Sequence, residues 1–256
     1  MNKVCLISSC APFIGEKKKI QEASFYSWSL LPFEQVIILG NEQGVVDECD
    51  KYGFTNIQDV QYSNKTLSID HSAIMLDDAF NKVVDILHDD IDIVVWMNSD
   101  IVVVSPDLQV FADIQEKYKS CAGWGRRWDL EMPKSFLISK NSKKELEIIY
   151  QHISDVVIHP YCGIDIFFWS KDLFIEQANI TPNFVVNGWC TDHYFNYIQK
   201  TLTLHRFETT NAFIGIHLKH KTDTQFDEGW NRAKEHNQRL YTKYVSGKVP
   251  LPTMWR

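Results

Sequence analysis

The chain has 256 residues, 45% of them apolar and 23% charged, and carries a net charge of −7. This is the composition of an ordinary globular protein with one substantial core. The acidic balance excludes a general nucleic-acid binder, which needs a basic face, and no apolar run approaches the roughly 18 residues of a transmembrane helix.

Residues Met1 to Cys10 have too short an apolar stretch for a signal peptide and read as a first strand. The six cysteines (5, 10, 49, 121, 162 and 190) are scattered without a Cys-Xaa-Xaa-Cys pair. That argues against a zinc site or a disulfide scaffold and for a reducing, cytoplasmic setting. No repeat, low-complexity tract or Pro/Gly-rich linker divides the chain, so a single domain over 1–256 is expected.

In chain order, Val4 to Ser8 predicts a buried strand, followed by a loop from Cys10 to Gly15. A helix over Lys17 to Leu31 places Ile20, Ala23, Trp28 and Leu31 near helical spacing. A second strand is expected over Gln35 to Gly40, a second helix over Gly44 to Tyr52 and a third strand over Thr55 to Val60. Ile69 to Leu87 reads as a long amphipathic helix, its stripe made by Ile74, Ala79, Val83, Val84 and Leu87. Ile93 to Met97 is a short run rich in β-branched residues, the pattern of a strand buried on both faces. This strand–helix alternation predicts a parallel sheet.

After Pro106 the rhythm changes. A helix over Asp107 to Tyr118 leads to an extended segment, Cys121 to Trp128. Next comes a charged helix over Ser142 to Ile153, with Ser142 as N-cap and Glu145 three residues on. Gly163 to Trp169 predicts an aromatic-rich strand and Cys190 to Gln199 a helix. Strands over Thr201 to Leu204 and Ala212 to His217 follow, and then a mostly polar outer helix over Thr224 to Tyr244.

Several polar groups interrupt this pattern where chemistry is expected. Asn98, Ser99 and Asp100 arrive abruptly at the C-terminal end of the Ile93 strand, the edge at which open α/β sheets bind ligands. A carboxylate beside a carboxamide suits a hard divalent cation shared with phosphates; the bland alternative is a turn cap. Arg126 and Arg127 offer planar forks to phosphate or sugar oxygens. Neighbours in an extended stretch diverge, so one arginine faces the site and the other pairs structurally, with Asp129 a candidate partner. Asp165 stands at the mouth of an apolar strand, as a turn cap or a ligand-facing acid. At the start of a helix, Thr191 or Asp192 serves as N-cap, or Asp192 points into the cleft. His217 and His220 offer imidazoles for a metal or a diphosphate, with Lys219 and Lys221 adding positive charge. Of the two, His220 is the favoured metal ligand because His217 belongs to the strand itself. Ser8, Ser9, Cys10, Ala11 and Pro12 after the first strand, with Asn41 and Glu42 after the second, lie at strand edges that would frame a base and ribose.

The strand ending in Asn98-Ser99-Asp100 resembles the Asp-Xaa-Asp element of GT-A-fold, nucleotide-sugar-dependent glycosyltransferases, in the Asn-Xaa-Asp form of a branch of small bacterial and viral enzymes. Other segments are similar to that branch in the same order. They are Gly125-Arg126-Arg127-Trp128-Asp129, the Gly163-to-Asp165 strand opening, the Trp189–Asp192 pair and the His217–His220 segment. The resemblance runs from Val4 to about Lys221. It implies an α/β, GT-A-like fold: a Rossmann-type, mostly parallel central sheet flanked by helices, with a nucleotide-binding half over about 1–106 and a mixed acceptor-side half over about 107–256. It further implies Asp100 and His220 on Mn2+ or Mg2+, and Asn98, Ser99, Arg126, Arg127, Lys219 and Lys221 toward the nucleotide. Asp165 and Asp192 would be the catalytic acids. His193 stands where the family often has other polar residues, which leaves the role of Asp192 open. The implied activity is sugar transfer from a nucleoside-diphosphate sugar to a hydroxyl of a glycan or glycoconjugate. One rival is a sugar-nucleotide pyrophosphorylase or nucleotidyltransferase, for which Ser8 to Lys19, with one glycine and three successive lysines, is a poor phosphate loop. A non-catalytic sugar-nucleotide-binding module is the other.

Overall fold

The computed structural model describes residues 2–68, 72–105, 107–160, 163–186, 188, 190–220 and 228–245. Its first part runs β1 (Val4–Ser9), α1 (Gly15–Ser29), β2 (Gln35–Leu39), α2 (Val45–Tyr52), β3 (Thr55–Ile57), a short α3 (Ser63–Thr66), α4 (Leu76–Ile86), β4 (Ile93–Met97) and β5 (Ile101–Val103). The second part runs α5 (Gln109–Lys117), β6 (Ala122–Arg126), β7 (Trp128–Glu131), α6 (Lys134–Ile138), α7 (Ser142–Gln151), a 3-10 turn (Ile153–Asp155) and β8 (Val157–Ile158). It continues with β9 (Ile164–Ser170), α8 (Lys171–Ile180), α9 (Thr191–Leu202), β10 (Arg206–Glu208), β11 (Gly215–Lys219) and α10 (Glu228–Tyr244).

Several expected elements change. The helix foreseen from Ile69 begins only at Leu76, because Ile74 and Met75 are extended and bridge Tyr62 and Val185. Residues 69–71 lie outside the described residues. Asn141, not Ser142, caps α7, its Oδ1 accepting from the Lys144 N–H at 3.1 Å. Thr201 and Leu202 finish α9 instead of starting a strand, and the strand lies further on, at β10. The unforeseen α8 buries Leu173, Phe174, Gln177 and Ala178, a helical spacing hidden behind the apolar β9. The last helix is locked in place: Gly229, Ala233, Asn237 and Tyr241, each four residues apart, form its buried face. The buried Asn237 amide accepts from Val185 N–H and donates to Val185 O, both at 2.8 Å.

Seven strands form the main sheet in the order β10-β6-β9-β4-β1-β2-β3. Every pairing is parallel except the two made by β9, which runs against β4 and β6. Successive residues serve opposite faces: in β4, Val94 and Trp96 enter one core while Ile93, Val95 and Met97 enter the other. Helices α4, α8 and α9 supply Phe80, Phe174 and Phe195 to the first core, and α1 supplies Phe25 and Trp28 to the second. Burial on both sides explains why these strands read as unbroken apolar runs.

A second sheet, β5-β11-β7-β8, grows out of the first. After the turn Asn98-Ser99-Asp100, the chain leaves β4 and enters β5; after Arg127 it leaves β6 and enters β7. The register between β6 and β9 shifts at Gly125/Arg126, an irregularity of the kind that bends a strand at a sheet edge. Val102, Leu130, Ile216 and Leu218 turn one face of the second sheet into a third core with α6 and α7. The residues between them, Asp129 and His217, therefore face the other way, toward the junction of the two sheets.

Candidate metal and nucleotide site

In the main sheet the order reverses at β1, whose neighbours β2 and β4 lead away in opposite directions. Such a switch point leaves a crevice at the C-terminal strand ends. One side of the crevice is the loop after β1, the other the turn after β4. Gln21, 2% exposed on α1, ties them together. Its amide exchanges two hydrogen bonds with the Ala11 backbone (2.9 and 3.0 Å) and accepts from the Ser99 hydroxyl at 2.9 Å.

Cross-strand register assembles the polar cluster. Ile101 of β5 pairs with His217 of β11, and His217 pairs in turn with Asp129 of β7. Asp100, one residue before β5, therefore lies beside His217, with Asp100 Oδ2 3.5 Å from His217 Nε2. His220 follows β11, its ring centre 5.2 Å from that of His217. Asp100, His217 and His220 each offer a ligand atom within 4.8 Å of the others. His220 Nδ1 lies 3.0 Å from Leu218 O, an acceptor only, which places a proton on Nδ1 and, in the neutral ring, the lone pair on Nε2.

Around this trio the acids are held tightly. Asp165 accepts from the Asn98 side-chain amide at 2.5 Å and from Arg127 Nη1 at 3.1 Å. Arg127 Nε donates to Asp129 Oδ1 at 3.0 Å, so the arginine bridges two carboxylates. Asp129 also meets His217 Nδ1 at 3.2 Å and His159 Nδ1 at 2.5 Å. Arg127 is ion-paired with Asp129 and Asp165, and Asp100 adds a third carboxylate near enough to feel its charge. That excess of negative charge, with imidazole and carboxylate donors converging, fits a divalent cation.

The electrostatics follow. Burial opposes ionisation of Asp100, but the hydrogen bond and charge of His217, backed by His220 and Arg127, outweigh it and lower its pKa. Burial also opposes the charged form of His217, and Asp100 reverses that effect, raising its pKa. For Asp129, burial is overcome by the hydrogen bond from His159 and the charge of Arg127, and its pKa falls. For Asp165, burial wins over Arg127 and the pKa rises. Asp192, partly buried in the first turn of α9, is pushed up to about 8 by desolvation and by Asp165.

The structure sorts the expected site residues. Asp100 and His220 lie together, and His217, the less favoured histidine, joins them, its buried side chain 3.5 Å from Asp100. Of the two arginines, Arg127 faces the cluster, with its fork committed to Asp129 and Asp165, while Arg126 pairs with Glu208 at 3.0 Å on the far side. Lys219 is paired with Glu131 at 2.6 Å, and Lys221 lies outside the described residues. The Ser8 hydroxyl is fully buried and donates to Met97 O at 2.6 Å, so it fastens β1 to β4 and does not face a ligand. Cys10 is buried as well, and burial holds its thiol far above the usual range. Ser9 and Ala11 are half-buried and Pro12 exposed. Asn41 is exposed, with its N–H donating to the Tyr62 hydroxyl at 2.8 Å, and Glu42 is half-buried. The turn that carries them needs Gly40, with φ of 110°, where a Cβ would lie 2.3 Å from the Glu42 carboxylate. The α9 N-cap is Cys190, in the left-handed region with φ 73°, and no side chain caps the helix, so neither Thr191 nor Asp192 is used as a cap. Asp129 was foreseen as an arginine partner and as the last residue of the Gly125–Asp129 segment, without a role at a metal site, and Gln21 and His159 were missed.

No family model matches the chain, and no curated protein does. Solved structures with similar folds include TarS 1-349 of S. aureus (TM-score 0.48, 12% identity, 97% of this chain and 76% of that one). Another is glucosyl-3-phosphoglycerate synthase of Mycobacterium tuberculosis in complex with Mn2+, uridine diphosphate and glucosyl-3-phosphoglycerate (TM-score 0.48, 11% identity, 98% and 83%). A third is 4-diphosphocytidyl-2C-methyl-D-erythritol synthase of Anaerococcus prevotii (TM-score 0.42, 12% identity, 93% and 99%). Likeness of this degree carries no argument about activity, which rests on the site itself. No helix among the described residues is long and apolar enough to cross a membrane.

Proposed function

We propose that the chain is a metal-dependent glycosyltransferase that moves a sugar from a nucleoside-diphosphate sugar to an acceptor hydroxyl. The observation that carries this reading is the meeting of Asp100, His217 and His220 beside the crevice between β1 and β4. A nucleotide lying in that crevice brings its diphosphate to the trio. The resemblance of the Asn98–Asp100 turn and the Gly125–Asp129 segment to GT-A enzymes points the same way.

When bound, a divalent ion there supplies Lewis-acid stabilisation of charge on the leaving diphosphate. The protein's own groups do the rest. Asp100 and the two imidazoles would be its donors, with the ion taking the place of the hydrogen that His217 Nε2 directs at Asp100. Asn98, Asp165 and Arg127 form a hydrogen-bonded floor that fixes the turn bearing Asp100. Both oxygens of Asp165 are engaged there, which suits holding better than proton transfer. Asp192 is the better candidate to take the acceptor proton, since a carboxylate whose pKa stands near 8 is matched to a general base working near neutral pH. Its oxygen would receive the proton as the acceptor hydroxyl attacks the sugar.

The test is calorimetric titration of uridine, guanosine and adenosine diphosphates in Mn2+ and in chelator, followed by assays of donor hydrolysis. Metal-dependent capture of one nucleotide, lost in Asp100→Ala, together with slow hydrolysis of its sugar conjugate is the expected result. Capture that ignores both metal and Asp100 would refute the reading. Release of pyrophosphate from a nucleoside triphosphate and a sugar phosphate would replace it with nucleotidyl transfer, and binding without turnover in the presence of acceptor extracts would leave a binding module.

A further inference from the structure

We propose that Asp129 is a positioning residue for the cation site, holding His217 with its proton on Nδ1 so that Nε2 faces Asp100. The proposal rests on the metal-binding reading above and concerns a residue outside the trio that hydrogen-bonds one of its members.

Asp129 is 8% exposed, and its carboxylate accepts from three sides: Arg127 Nε at 3.0 Å, His217 Nδ1 at 3.2 Å and His159 Nδ1 at 2.5 Å. A carboxylate can only accept, so the His217 nitrogen facing it must carry a hydrogen. The opposite nitrogen, Nε2, is the one 3.5 Å from Asp100 Oδ2. Nε2 also faces a carboxylate, so without a cation it carries a hydrogen as well; a divalent ion held there would take that proton's place, and the Nδ1–H kept by Asp129 would leave the Nε2 lone pair to it. A carboxylate behind a ligating histidine fixes its tautomer and ring orientation and raises its basicity. The backbone sets the arrangement, since Asp129 and His217 are register partners on adjacent parallel strands. Asp129 is fixed in turn by two cationic or hydrogen-bearing neighbours from different elements, Arg127 before β7 and His159 after β8. His220 has the same provision by another route, its Nδ1 facing the Leu218 carbonyl. In a loaded site both imidazoles would offer Nε2 to the cation.

The experiment is a double-mutant cycle on the full chain, with Mn2+ affinity read by calorimetry and by electron paramagnetic resonance of free Mn2+. Asp129→Asn is expected to weaken Mn2+ binding about 10- to 100-fold, and to have almost no further effect when His217→Ala is already present. An equal loss in both backgrounds, or no loss in the first, overturns the proposal. A second measurement needs no change at Asp129. Long-range 1H–15N correlation of the Zn2+-loaded wild-type protein, with His217→Gln to assign the ring, should show the Nδ1–H tautomer at His217; the Nε2–H tautomer overturns the proposal even if Asp129→Asn fails to fold. Failure of the wild-type protein to bind either ion removes the metal site itself, a result visible before any variant is compared.

Discussion

Asp192→Asn should stabilise the protein and do so more strongly as pH rises. Desolvation and the nearby Asp165 raise the pKa of this carboxyl to about 8 from an ordinary 3.8. The unfolded chain therefore loses the proton near pH 4, while the folded chain keeps it until about pH 8. Between those values the folded state binds more protons than the unfolded state, so stability falls as pH increases, by about 1.4 kcal/mol per unit for this one group. Below about pH 4 both states are protonated and the difference vanishes. Asparagine does not titrate. From about pH 5 to pH 7 the variant should gain roughly 2.7 kcal/mol on the wild type, or about 5–10 °C in melting temperature for a chain of this size. Urea and thermal unfolding of both proteins in chelator, at four pH values across that window, measures it. Parallel stability profiles would refute the burial argument. Under the proposed chemistry the same variant should lose transfer activity, and the wild-type rate should climb with pH toward about 8 as the carboxyl ionises.

Other consequences are equally direct. With two imidazoles and one carboxylate as donors, first-row transition ions such as Mn2+, Co2+ or Zn2+ should bind at least about tenfold more tightly than Mg2+ or Ca2+; competition calorimetry giving the reverse order would contradict the donor set. Gln21→Ala removes three hydrogen bonds and leaves the Ala11 backbone groups without their partner, a cost of about 2–4 kcal/mol in chemical denaturation. A loss below about 0.5 kcal/mol would show that the two loops do not depend on that tie. Arg127→Lys keeps the charge but not the planar fork, so one of Asp129 and Asp165 loses its partner; destabilisation of about 2–3 kcal/mol is expected, and a neutral result would show that the bridge is dispensable.

The amino-acid pattern by itself determined the α/β class and the parallel core. Strands buried on both faces have to be apolar throughout, and that made β1, β2 and β4 legible to within a residue. It also marked Asp100, because a polar turn after such a strand is conspicuous. Short-range chemistry was less legible where the tertiary context competed with it. Ile74 was assigned to a helix by its spacing, yet it is held extended in a bridge to Tyr62, and Asn141 took the cap that Ser142 offered. What only the tertiary structure decided is which polar residues meet. Asp129 and His217 are 88 positions apart and nothing along the chain links them, but parallel pairing of β7 and β11 sets them side by side. Arg126 and Arg127 are adjacent and chemically identical; extended neighbours diverge, but only the fold decides that Arg126 goes to Glu208 and Arg127 into the acids. Strand periodicity is local and can be read along the chain. Register between distant strands depends on how the cores pack, and no local pattern records it.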